Sequence, residues 1–135
     1  TVHFPIVFLC SAPLFTLLSL WTGLESFETT AIHCLGAGLL FTPPVIATGY
    51  YTWWLNYWTR PMRPVIIKKR CSLLLLALAG IAFLWRMAVP DILDPFGGAS
   101  ILYLLLLCSL IPLVSVIGWF GATLTFPLEK EHLKE

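Results

Sequence analysis

The chain reads as an all-α protein, an integral membrane four-helix bundle, and three observations lead there. Four apolar runs, residues 4–24, 30–57, 66–89 and 99–126, each reach the roughly 20 residues that carry a helix across a hydrocarbon core. Charged residues make up 11% of the chain and mean hydropathy is +0.88, whereas about a quarter of a soluble domain is charged; the solvent for most of this surface is lipid. The charges are also sorted by loop. Arg60, Arg63, Lys68, Lys69 and Arg70 crowd into one eleven-residue stretch where the second run gives way to the third, while Glu25 and Glu28, then Asp91 and Asp94, lie in the other two connections. A closed barrel is excluded, because its strands need dyad alternation and these runs show none.

The first run, Phe4 to Leu24, has Pro5 in its first turn, where a missing N–H costs nothing. No basic segment precedes it and no small-residue cleavage site follows, so it reads as a span and not a signal peptide. The chain starts at Thr1, and the native polypeptide is expected to extend upstream. The second run is Thr30 to about Tyr57, with Thr29 or Thr30 as its cap. The third is about Ile66 to Val89; Pro90, Pro95 and Gly97-Gly98 break the chain after it. The fourth is Ala99 to Phe126, ended by Pro127. Pro13, Pro43-Pro44 and Pro112 are expected to kink their helices, which neighbouring helices make tolerable in lipid. The second and fourth runs exceed the hydrocarbon thickness and imply tilt or emergent ends. Residues 1–127 thus form a transmembrane domain and 128–135 a charged tail.

Cytoplasmic loops retain Lys and Arg. The basic loop is therefore expected inside, together with both termini, and the two acidic loops outside. With a net charge of +1 nothing attracts nucleic acid. Cys10, Cys34, Cys71 and Cys108 fall one to each run, without the CxxC spacing of a zinc or redox site, and read as small buried hydrophobes.

No nucleophile elbow, phosphate loop, HExxH or paired-carboxylate motif is present, and no acid sits at a helix centre to relay protons. Independent catalytic activity is not expected. The residues that carry chemistry are His3, His33, Arg86 and Met87. Either histidine is a candidate metal ligand, to a b-type haem, but the orientation above puts His3 at the inner face and His33 at the outer. They are then separated by roughly 30 Å, too far to share one iron. For His33 the available partner is Met87, near the outer end of the third helix, and Gly36 and Ala37 leave room on the same face for a flat ring. The plainer reading of His33 is a ring bonded to a backbone carbonyl or facing interfacial water. His3 has only Cys71 opposite it, and reads as an interfacial cap or a quinone hydrogen-bond donor. Arg86 is expensive in hydrocarbon; near the outer end it is expected to snorkel toward Asp91 or Asp94, with a haem propionate or quinone carbonyl as the functional alternative.

Small residues (Gly36 and Gly38; Ala77, Gly80 and Ala82; Gly118, Gly121 and Ala122) permit close helix packing, within the bundle or against another membrane subunit. Tyr50, Tyr51, Trp53, Trp54, Tyr57 and Trp58 gather near the basic loop as an interfacial belt, or alternatively as a stacking surface for a quinone or porphyrin.

Val2-His3-Phe4-Pro5, then Ala47-Thr48-Gly49 ahead of Trp53-Trp54, then Arg86 late in the third helix, and Gly118-Trp119-Phe120-Gly121 ahead of Thr125-Phe126-Pro127 together resemble a bacterial membrane family of unknown function. The resemblance covers almost the whole chain. It implies about four helices, a place in the bacterial cytoplasmic membrane and, from members fused behind a cytochrome b5-like haem domain, a redox neighbourhood. Members often carry a histidine at the start of the third helix, where this chain has Cys71.

The leading expectation is therefore a membrane subunit associated with electron transfer in a respiratory or photosynthetic complex. It would bind haem or quinone, or anchor a haem domain. A cofactor-free structural subunit packed against larger membrane proteins is the alternative, and a transporter or channel ranks below both, because no mid-membrane charge or repeat marks a path.

Overall fold

The computed structural model describes residues 3–58, 62–93 and 97–125. Four helices account for nearly all of them: α1 His3–Thr22, α2 Glu25–Tyr57, α3 Arg63–Ala88 and α4 Gly98–Thr125. All four are long and apolar enough to cross a membrane. α1 packs most extensively on α2 and α3 on α4, while lighter seams between α2 and α3 and between α1 and α4 close the ring. Contacts fix the directions. Leu9 lies against the Gly38 backbone and Phe15 stacks on Phe27, so α1 and α2 are antiparallel; Lys69 over Tyr50 and Phe83 against Gly36 do the same for α2 and α3. The α1–α2 and α3–α4 connections therefore share one end of the bundle, and His3 and the α2–α3 connection share the other.

Apart from Tyr103 and Arg86, the interior is made of small and medium residues. Leu9, Ala12, Ala31, Leu35, Ala79, Ala82, Leu107 and Leu110 are all buried, while Leu40, Leu84, Leu105 and Trp119 stand exposed on the outer wall. Large apolar groups facing outward are what lipid contact calls for, and small ones inside let backbones approach, since helix association in lipid relies on packing. The hydroxyls that this interior contains are satisfied locally: Thr16 donates to the Ala12 carbonyl at 2.9 Å and Thr42 to the Gly38 carbonyl at 2.6 Å. Of the small-residue sets, Gly36, Gly38 and Ala82 serve packing inside the ring, whereas nothing lies within 4 Å of a Cβ placed on Gly80 or Gly118.

The helix boundaries differ from the sequence expectation at the start of α3, where Arg63, Lys68, Lys69 and Arg70 belong to the helix instead of a loop, and chiefly at α2. Neither Thr29 nor Thr30 caps it: they donate to the carbonyls of Glu25 and Ser26 from inside the helix, which starts just after Leu24. α1 and α2 are joined by Gly23 and Leu24 alone, with Gly23 at φ +70° and its N–H bonded to the Ser19 carbonyl, the left-handed residue that closes many helix C-termini. Glu25 and Glu28 thus become the first turn of α2 instead of a loop, where the positive end of the helix dipole favours acids. Pro13, Pro43, Pro44 and Pro112 all lie inside continuous helices. At the same end, Ile92 and Leu93 of the α3–α4 connection tuck into the bundle, and buried Ser100 donates to the Ile92 carbonyl while accepting the Gly97 N–H. The charged tail and Asp94 lie outside the described residues.

Candidate functional site

The end of the bundle that holds the two short connections also holds its buried charge. Arg86, in the last turn of α3, is only 5% exposed and forms an ion pair through Nη2 with Oε1 of Glu28 in the first turn of α2. Both charges complement their helix termini, the acid at an N-terminus and the base at a C-terminus. The snorkelling expected of Arg86 is thereby corrected. Its side chain turns inward across the α2–α3 seam, because Glu28 sits one helix away at the same level, while Asp91 lies within electrostatic reach of it. Tyr103 of α4, 3% exposed, also lies within electrostatic reach of Arg86, and the Trp85 ring meets it edge-on at 6.2 Å.

The pair leaves Arg86 incomplete. Nε and Nη1 are buried and have no hydrogen-bond partner among the described residues. A buried donor without an acceptor costs about 1–3 kcal/mol, more when charged, so an arrangement with two of them calls for an acceptor beyond the described residues, such as ordered water or a ligand oxygen.

The histidines are placed differently from the sequence expectation. His3 is exposed at the start of α1. Leu9 faces Gly38, so His3 is level with about residue 44, and the axial distance to His33 is roughly 16 Å at ~1.5 Å per residue. That is about half the separation inferred from the loops, because α2 begins earlier than Thr30 and runs past His33 at both ends. It is still too long for one ion. His33 is two residues from buried Ala31 and two from buried Leu35, hence almost diametrically opposite the core. Its Nδ1–H donates to the Thr29 carbonyl at 2.7 Å, which leaves Nε2 facing away from the bundle. Met87 is 60% exposed on α3. The two side chains do not converge inside the ring, so a haem held between them within the bundle does not fit; His33 fits an axial ligand only for a group on the outer wall. Among the described residues no three His, Cys, Asp or Glu side chains gather into a metal-binding group.

At the basic end, an apolar cleft lined by Pro5, Ile6, Val45, Leu75 and Ile117 has Thr42 and Ser72 as its polar edge, and the Thr42 hydroxyl is already used. Lys69 sits 4.8 Å from the Tyr50 ring centre, so at least one belt aromatic is engaged by a cation.

Glu28 and Tyr103 are the site residues that sequence reasoning missed. The available signal was the cost of Arg86 itself, which demanded an acid among the four at that end, and a single tyrosine in the leucine-rich α4, whose hydroxyl needs a polar neighbour when buried.

The fold and this site define an all-α integral membrane protein, four antiparallel spans in a ring with one buried ion pair near an end. The chain belongs to the family described as "Predicted membrane protein (DUF2231)", whose model matches residues 1–129. No curated protein and no solved structure matches it.

Proposed function

We propose that this chain is a membrane subunit associated with electron transfer, one that contacts a redox cofactor without catalysing a reaction of its own. The observation behind this reading is the pair of unmet guanidinium donors of Arg86, buried beside Tyr103 and Trp85. Of the two cofactor classes, a haem inside the ring lacks facing axial ligands. A quinone needs only hydrogen-bond donors at its carbonyls, and Arg86 has them. A bound quinone would supply electron and proton capacity. The chain's part is to orient the carbonyl, keep the guanidinium paired through Glu28 and close the end with Ile92 and Leu93. A seat in the bacterial cytoplasmic membrane belongs to the same proposal, with the basic end inside and a cytochrome b5-like domain as a partner on the His3 side. The test is purification in mild detergent followed by solvent extraction and a reduced-minus-oxidised spectrum. Quinone or haem in amounts comparable to the protein is expected, and a pure, folded preparation with neither removes the proposal.

A second reading, a cofactor-free subunit of a larger membrane complex, has its own observation. Gly80 and Gly118 leave open notches on partly exposed helix faces, the kind of surface that admits a neighbouring helix. Copurification in a stable complex whose activity survives substitution of Arg86, His33 and His3 would favour it.

A further inference from the structure

We infer that the Arg86 site selects a neutral carbonyl oxygen over an anion, and that Glu28 sets this selectivity. The inference rests on the electron-transfer reading for its biological sense and on geometry for its chemistry.

Two features of the pair decide it. First, Glu28 already balances the charge of Arg86. A carboxylate or phosphate added beside them would leave one uncompensated negative charge at a buried site that Asp91 already reaches electrostatically, which is costly. Second, a guanidinium offers two forks to a bidentate oxyanion, Nε with Nη2 and Nη1 with Nη2. Glu28 Oε1 meets Nη2 and so takes one of these forks, since each N–H of Nη2 belongs to a different one; Nε and Nη1 stay available to a neutral acceptor. A quinone ring carbonyl and a lipid ester carbonyl share that chemistry, and both reside in the membrane at the depth of a helix end. Glu28, 26% exposed against 5% for Arg86, is the part of the pair that reaches the surface, at one of the two lighter seams of the ring.

The experiment is a titration of the purified chain in maltoside micelles, which contain no carbonyl, read by tryptophan fluorescence. The neutral probe is a short-chain benzoquinone and the anionic probe is a fatty acid. Saturable quinone quenching is expected, weakened at least tenfold in Arg86→Gln, with no saturable response to the fatty acid. Trp85→Phe should remove most of the signal. Glu28→Gln should invert the order, with the fatty acid binding at least tenfold more tightly than to the parent chain. This inversion carries the test if Arg86→Gln does not fold. Fatty acid binding equal to quinone in the parent chain, or quinone binding indifferent to both substitutions, overturns the inference. Repeating the titration in ester-linked and ether-linked bilayers separates the sources: quinone binding lost only in ester lipid keeps the carbonyl chemistry and assigns it to the lipid. Haem in the purified protein without saturable quinone binding would overturn this inference while sparing the electron-transfer reading. Arg86-dependent quinone binding in a complex whose turnover ignores Arg86→Gln would do the reverse.

Discussion

Glu28 and Arg86 hold α2 to α3 by a buried ion pair in which the two partners are unequally sheltered: the carboxylate reaches the surface and the guanidinium does not. Removing either partner therefore has a different cost.

Glu28→Ala leaves a charged guanidinium buried without compensation and is expected to cost about 3–5 kcal/mol, the usual penalty for breaking a buried pair. Arg86→Met leaves a carboxylate that can turn toward water and should cost clearly less. The double replacement Glu28→Met with Arg86→Met should recover most of the loss, as apolar substitutes for buried pairs often do. Unfolding in detergent under matched conditions measures all three; equal single-mutant costs would contradict the asymmetry.

Gly38→Ala would place its Cβ 2.6 Å from Leu9 Cδ2. The Leu9 backbone N–H lies only 3.5 Å away, so the side chain has little room to yield. Overpacking of about 1–3 kcal/mol is expected. Gly121→Ala meets Lys68 at 3.6 Å, an ordinary contact with a flexible side chain, and should be near neutral. Thermal stability of the two variants should separate them plainly.

His33→Ala should change stability by no more than about 0.5 kcal/mol, as expected for a substitution outside the core. The quinone binding proposed for the Arg86 site should also be unchanged, since His33 faces outward from α2. A loss of quinone affinity in this variant would relocate the site.

Cysteine scanning in a background without the four native cysteines tests orientation. A reporter at Arg70 should react with an impermeant thiol reagent only from the cytoplasmic side, and one at Asp91 only from the opposite side. Labelling of Arg70 from outside and Asp91 from inside would reverse the orientation, and labelling of both from one face would deny that the two ends lie on opposite sides.

The spans were legible because lipid imposes a length and an apolar composition that few other structures share, and all four runs overlap their helices closely. The beginning of α2 was not. Glu25, Ser26 and Glu28 look like a polar loop by composition, and only the left-handed turn at Gly23 makes them a helix start. That one displacement explains the rest. It moves Glu28 onto a helix face where it reaches Arg86, and it carries His33 deeper than the loop-based placement. Arg86 itself stood out in the sequence. Its partner did not, because pairing across α2 and α3 is a property of the ring, and no local pattern encodes it.

Gly23 and Leu24 also act as a ruler. With two residues between them, the first pair of helices has no slack to slide along one another. In the folded protein the end of α1 therefore fixes where α2 begins, and with it the level at which Glu28 meets Arg86.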